Sequence, residues 1–132
     1  MTFKPRYGLL TMACLATIYW LSTRPELSTA EQNEVMRMVS NLMHAPFFAA
    51  LAFCCLKTIS GREVSWKECG VVVLVSAACG ALLEWHQSFV PGRRASVRDL
   101  LMDLAGTCAM LLALRMQAVR ASDASRSKPR IS

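Results

Sequence analysis

The side chains that could carry chemistry in this 132-residue chain lie in two separate stretches of sequence. His44 stands alone at the start of an apolar run. A polar cluster follows later in the chain, consisting of Glu84, Gln87, Arg93, Arg94, Ser96, Asp99 and Asp103. Asp99 and Asp103 are one helical turn apart and therefore share a face. Imidazole, carboxylate, amide and guanidinium groups of this kind can bind a ligand, transfer protons or tie helices together.

Two interpretations of the polar cluster rest on its arginines. As a structural clamp, Arg93 would pair with Glu84 and Asp99 across the ends of two helices, since buried pairs of this sort can specify geometry. As a binding site, the forked donors of Arg93 and Arg94 would match a phosphate or pyrophosphate group, with the carboxylates orienting them. Both interpretations stay open at the level of sequence.

Catalysis is the third interpretation and the least favoured. His44 with Glu84 or Asp103 could form a general acid and base pair. The sequence has no nucleophile motif, no H-E-x-x-H pattern and no glycine-rich phosphate loop. A zinc site built from His44, His86 and Glu84 is disfavoured because residues two apart on a helix diverge. Catalytic residues therefore stay unassigned, with a non-enzymatic role favoured, and we predict no cofactor and no metal.

Composition indicates the elements that must position these groups. The chain is 54% apolar and only 18% charged, with a mean hydropathy of +0.33, which is unusually apolar for a soluble domain. Four apolar segments are each somewhat shorter than the length that spans a bilayer, so each span must include polar or amphipathic residues at its ends. We predict an all-α integral membrane bundle of four transmembrane helices, within a domain at 1–114, with spans at about 7–23, 43–60, 68–86 and 98–115.

The remaining segments lie between and after the predicted spans. Val35, Met38, Val39 and Leu42 recur at helical spacing, which predicts an interfacial amphipathic helix between the first two spans. Residues 115–132 are rich in Arg, Lys, Ser and Ala. We predict that this stretch is a basic, disordered cytoplasmic tail.

The distribution of basic residues predicts the orientation in the membrane. With four spans, ten Lys and Arg residues fall on the side of the two termini and five fall on the other side. Cytoplasmic segments carry the excess of basic residues. Both termini are therefore expected in the cytoplasm, and the polar cluster at the extracytoplasmic face.

Small residues indicate which helix faces pack together. They recur at intervals of four: Ser76 and Gly80 before Glu84, and Ala105, Ala109 and Ala113 beside Gly106. Such stripes let membrane helices approach closely. Pro91 and Gly92 would form the tight turn between the last two helices, while Gly80 and Gly106 would serve packing.

The polar segment also carries a family resemblance. Glu84, Gln87, Phe89, Pro91, Arg93, Ser96, Asp99 and Gly106 stand at the offsets of the signature E-x-x-Q-x-F-x-P-x-R-x-x-S-x-x-D-x-x-x-N-x-x-G. This string resembles the VanZ-like family, whose signature histidine is matched by His44. The match runs from about Asn41 to Leu114. Asp103 replaces the usual Asn, and Ser40-Asn41 replaces a frequent Asp-Lys.

The resemblance implies a small multi-pass protein of the bacterial inner membrane. The family is named for a member associated with resistance to the glycopeptide teicoplanin. An anionic or polyprenyl-linked envelope precursor, recognised at the extracytoplasmic face, is the expected ligand, with an influence on the envelope or on glycopeptide tolerance. Membrane lipids are expected partners and nucleic acid is not. A homo-oligomer or an envelope protein partner stays open, as does a purely structural or interaction role.

Overall fold

The computed structural model describes residues 4–23, 34–60, 64–91 and 95–126. The described residues form four helices and no strand. In chain order these are α1 (Pro5–Ser22), α2 (Glu34–Ile59), α3 (Trp66–Gln87) and α4 (Val97–Arg126). The prediction of an all-α fold is confirmed, and each helix overlaps one of the four predicted apolar spans.

Consecutive helices run in opposite directions. The backbone N–H of Lys4 donates to the carbonyl of Thr58 at 2.9 Å, which joins the start of α1 to the end of α2. The guanidinium of Arg115 donates to the carbonyl of Val64 at 2.7 Å, which joins the later part of α4 to the start of α3. We call this end of the bundle the basic end. The opposite end, where Glu84 lies, is the polar end.

The start of α3 is defined by a capping box. The Ser65 hydroxyl accepts from the N–H of Glu68 at 3.2 Å, and the Glu68 carboxylate accepts from the N–H of Ser65 at 3.0 Å. Two donors that a helix start leaves unpaired are thereby satisfied. The Arg115 guanidinium lies 3.8 Å from the ring centre of Trp66, the first residue of α3. The basic end of α3 is thus held by local bonds and by α4.

The backbones of α2 and α4 meet at Gly106. A Cβ atom built on Gly106 would overlap the carbonyl oxygen of Ala45 and would lie 2.7 Å from its carbonyl carbon. Only glycine permits this approach. Pro46 follows within α2 and has no N–H, so the carbonyl of Leu42 lacks its usual helical donor. The closest helix contact therefore lies beside an interruption in the α2 hydrogen bonds.

Two apolar clusters fill the bundle. The first joins α2, α3 and α4 through Ala52, Leu56, Cys69, Val72, Leu111 and Leu114. The second joins α1 and α2 through Ile18, Phe48 and Leu51, with partly buried Cys79 and Leu83 of α3 packed against it. Every helix thus contributes to the interior, and α2 contributes to both clusters.

The exterior of the bundle is apolar. Leu9, Leu74 and Leu82 are each more than 60% exposed, whereas Asp103 in the interior is 1% exposed. Two helical segments, Leu42–Ile59 and Trp66–Gln87, are long and apolar enough to cross a membrane. Apolar side chains on the exterior and ionisable side chains in the interior are typical of a protein surrounded by lipid. Spanning by α1 and α4 stays a prediction.

The structure corrects three details. The chain is helical to Arg126, so the prediction of disorder from Arg115 is wrong for residues 115–126. Helical bonds propagate readily from α4, and Arg, Met, Gln and Ala are good helix formers. Residues 127–132 lie outside the described part.

The predicted interfacial helix is, over residues 34–43, the beginning of α2 and not a separate element.

The third correction concerns the face that α4 turns to its neighbours. Ala105, Ala109 and Ala113 are exposed, although their spacing predicted a packing stripe. Asp103, Gly106 and Thr107 are buried instead. In a membrane protein, alanine suits a lipid-facing position as well as a helix contact, so small size alone did not identify the packed face.

Gly106→Ala is expected to destabilise the bundle by about 1–3 kcal/mol or more, because the added methyl must push two backbones apart. Gly70→Ala is the matched control, since a Cβ there meets nothing within 4 Å, and alanine is the better helix former by about 1 kcal/mol. Thermal unfolding in the same detergent compares the two variants. Equal melting temperatures for both would contradict the close contact between α2 and α4.

Candidate functional site

The candidate site is built on facing sides of α3 and α4 at the polar end. A Cβ atom built on Gly80 would lie 2.8 Å from the Leu100 side chain and 3.0 Å from Oδ2 of Asp103. Because the two helices are antiparallel, one turn toward the polar end brings Glu84 to the level of Asp99. All three acidic side chains of this region, Glu84, Asp99 and Asp103, are buried.

Asp103 lies where three helices meet. Its Oδ1 is 3.0 Å from Nδ1 of His44 on α2, and its Oδ2 lies against Gly80 of α3. His44 is one of the partners expected for this carboxylate from the sequence. The side chain of Asp103 is 1% exposed and that of His44 is 19% exposed. An imidazole Nδ1–H that donates to a carboxylate has its ring orientation fixed, so His44 keeps Nε2 for another partner.

Glu84 connects α3 to the beginning of α4. One carboxylate oxygen accepts a hydrogen bond from the backbone N–H of Ser96. This bond attaches the segment that precedes α4 to the end of α3. The other oxygen, Oε1, is buried and has no hydrogen-bond partner in the described part of the chain. Oδ1 of Asp99 is likewise buried without a hydrogen-bond partner there. Glu84 lies near enough to Asp99, Asp103 and His44 for their charges to interact.

Gln87 attaches α1 to the site. Its amide Nε2 donates to the hydroxyl of Ser22 at 3.2 Å, and both side chains are buried. Nearby, the Tyr19 hydroxyl and Nε2 of His86 lie 3.3 Å apart. Ser22 and Tyr19 were absent from the sequence prediction, because nothing in a sequence shows which residues of α1 reach the end of α3.

A layer of hydroxyl groups lies one turn deeper than Asp103. Ser76 and Thr107 are both completely buried, and neither hydroxyl oxygen has a hydrogen-bond partner among the described residues. The next level toward the basic end is apolar, with Val72 and Leu111 in one core cluster. Thr107 was missed from the sequence, although the four-residue spacing of Asp99, Asp103 and Thr107 is a signal that could have identified this face.

Some predicted residues cannot be compared with the structure. Gly92, Arg93 and Arg94 lie outside the described residues. Pro91 is exposed in the turn after α3, and Ser96 is half-buried before α4. Gly80 and Gly106 both lie at close helix contacts. Within the described ranges, no group of three His, Cys, Asp or Glu side chains is arranged to hold a metal ion.

The described cluster contains more acidic groups than basic ones, with three carboxyl groups beside one imidazole. Ionised carboxylates at this depth are costly unless they are paired. The free oxygens of Glu84 and Asp99 can accept hydrogen bonds from guanidinium groups, from water or from a ligand. The arrangement can therefore orient cationic groups at the polar end, and His44 can add one hydrogen bond through Nε2.

These features define a class of protein: a small helical bundle with an apolar exterior, two helices long and apolar enough to cross a membrane, and a buried polar cluster at one end. The family model described as VanZ/LLP1 matches residues 6–118. The chain belongs to this family, as the resemblance from the sequence implied. No curated protein and no solved structure matches it.

Asp103→Leu is expected to destabilise the bundle by about 0.5–2 kcal/mol, because it leaves Nδ1 of His44 without an acceptor between helices. Asp103→Asn is the matched control, since its amide oxygen can still accept from Nδ1. A double-mutant cycle with His44→Ala, measured by equilibrium unfolding in mixed micelles, isolates the pair. Equal losses for the Leu and Asn variants, with no coupling to His44, would contradict this role.

Proposed function

We propose that this VanZ/LLP1-family protein crosses the bacterial inner membrane four times with both termini in the cytoplasm. The alternating directions of the four helices support this arrangement. The basic end, which carries Lys4, Arg6, Lys57, Lys67 and Arg115, would then face the cytoplasm. The polar end would face the extracytoplasmic side, at the level of the lipid headgroups.

We further propose that the polar end recognises an anionic lipid-linked or cell-wall precursor. The observation that carries this proposal is the bond from Ser96 N–H to Glu84. Pro91 lies in the turn after α3, and the backbone N–H of Ser96 is bonded to Glu84 of α3. That Arg93 and Arg94, between these two described flanks, reach Glu84 and Asp99 is part of this proposal.

The chemistry of the ligand follows from the donors that this stretch supplies. Two guanidinium groups provide forked donors that suit phosphate or pyrophosphate oxygens. The buried oxygens of Glu84 and Asp99 would accept from the opposite side of the guanidinium groups and so orient them. His44, oriented by Asp103, would donate from Nε2 to a phosphate oxygen when its ring is protonated. Binding of such a precursor would give the protein an influence on the envelope or on glycopeptide tolerance.

Native mass spectrometry of the protein released from its own membrane tests this function. The wild type is expected to retain an anionic lipid that Arg93→Ala loses. Losing one charge-assisted contact should lower the bound fraction by about tenfold or more. Lys67→Ala is the matched control, because it removes an exposed positive charge at the basic end, and it should retain the lipid.

Two outcomes would contradict the proposal. Equal lipid content in a well-folded Arg93→Ala variant and in the wild type would exclude Arg93 from binding. Absence of any retained anionic lipid from the wild type, together with a poorly folded variant, would favour a structural role for the cluster instead.

That structural role is the second candidate. The observation that favours it is that each polar contact joins two different parts of the bundle. These contacts are His44 with Asp103, Gln87 with Ser22, and Glu84 with Ser96. Buried polar contacts of this kind can fix one packing arrangement. The protein would then act through other proteins of the envelope.

A further inference from the structure

Two buried hydroxyl groups lie one helical turn below Asp103, on the side of the basic end. Ser76 of α3 and Thr107 of α4 are each 0% exposed, and neither hydroxyl oxygen has a hydrogen-bond partner among the described residues. Leaving a buried hydroxyl unsatisfied costs free energy, and such groups in folded proteins usually have a partner. The geometry around the two hydroxyls indicates which ligand would supply one.

The Thr107 hydroxyl is turned away from its own helix. The hydroxyls of Thr11, Thr17 and Thr58 donate to the carbonyl four residues earlier in their helices, at 2.9, 2.9 and 2.8 Å. Thr107 does not make this bond, although it is open to any helical threonine. Side chains lean toward the start of their helix, so the Thr107 side chain leans toward Asp103. Its oxygen is therefore available to the interior just below Asp103.

Asp103 presents a carboxylate oxygen to the same part of the interior. Its Oδ1 is 3.0 Å from Nδ1 of His44, whereas Oδ2 faces α3, 3.0 Å from a Cβ atom built on Gly80. Ser76 lies one turn from Gly80 on α3, and Thr107 lies one turn from Asp103 on α4. Because the two helices are antiparallel, both turns lead toward the basic end. Oδ2 and the two hydroxyl oxygens are therefore grouped between the helices.

This group of three oxygens is a donor set for a hard cation. Carboxylate and other oxygen ligands suit such ions. Two side chains four residues apart on a helix, such as Asp103 and Thr107, can bind one ion, as the histidines of H-E-x-x-H do. The ion-pair partner of Asp103 in the described part of the chain is His44, which is charged only when protonated. A bound cation would balance the charge of the buried carboxylate.

The space and the number of carboxylates favour a dehydrated monovalent ion. Because Ser76 and Thr107 are 0% exposed, a water-sized sphere does not fit against their oxygens. Hard cations lie about 2.0–2.6 Å from their oxygen ligands, closer than the oxygen of a hydrogen-bonded water at about 2.8 Å. Ca²⁺ takes about 6–8 oxygen ligands, and Mg²⁺ usually keeps several waters. One carboxylate and two hydroxyls suit a single positive charge.

We propose that Asp103, Ser76 and Thr107 bind a sodium ion between α3 and α4. The ion neutralises the buried carboxylate, satisfies both hydroxyl groups and ties the two helices together. Stability of the bundle therefore depends on sodium. The site uses neither arginine of the ligand site proposed above and lies deeper in the bundle, so either proposal can fail without the other.

Thermal unfolding of the full chain in detergent tests the site, with sodium chloride compared with choline chloride at equal ionic strength. Choline is too large for the enclosed site. The wild type is expected to melt about 5 °C higher in sodium, at about ten times the dissociation constant. Thr107→Val should remove this difference, yet should be at least as stable as the wild type in choline, because valine leaves no hydroxyl unsatisfied.

Two further variants separate the sodium site from other effects. Asp103→Asn should also remove the difference, although its amide oxygen can still accept from His44. Thr58→Val is the matched control, since Thr58 is buried too but its hydroxyl donates to the carbonyl of Cys54 near the basic end. This variant should keep the full difference between the two salts.

Binding of radioactive sodium to the purified protein gives a direct measurement. The wild type is expected to bind one ion per chain, and Thr107→Val should bind at least about tenfold more weakly, as expected for the loss of one ligand to a charged group. Equal melting temperatures of the wild type in the two salts would overturn the proposal. A sodium response that Thr107→Val retains would also overturn it and would assign the ion to the outer carboxylates.

Discussion

The close approach of α2 and α4 at Ala45 and Gly106 is the constraint on which the rest of the bundle depends. His44 directly precedes Ala45, and Asp103 lies one turn before Gly106. The backbone contact therefore brings the imidazole and the carboxylate to 3.0 Å. A side chain at position 106 would increase the distance between the helices and separate this pair. The glycine thus determines the geometry of the polar end although it has no functional group of its own.

The interior changes from polar to apolar along the axis of the bundle. Glu84 and Asp99 lie nearest the polar end, and the His44–Asp103 pair follows. The hydroxyls of Ser76 and Thr107 come next, and neither has a hydrogen-bond partner among the described residues. In lipid the hydrophobic effect contributes little to helix association, because the surroundings are as apolar as the side chains. Contacts such as His44 with Asp103, together with close packing at Gly80 and Gly106, must therefore supply much of the specificity.

The two ends of the bundle carry different chemistry. At the polar end, buried acidic groups and a histidine lie on three helices. At the basic end, Lys4, Lys57 and Arg115 surround helix ends that are held by backbone bonds and by a capping box. This asymmetry supports the orientation proposed above, because the two faces of a bilayer differ in the charges that they tolerate.

The sequence by itself determined the helical class, the four apolar segments and the family, because hydropathy and fixed motif offsets are local properties. It also placed His44, Glu84, Asp99 and Asp103 at one end, since alternating helices bring these positions together. Only the tertiary structure decided that Asp103 pairs with His44, that Gln87 bonds to Ser22, and that Thr107 is buried while Ala105 is exposed. The rotation of each helix depends on contacts such as Gly106 with Ala45, which join residues distant in sequence. Local propensity carries no information about them.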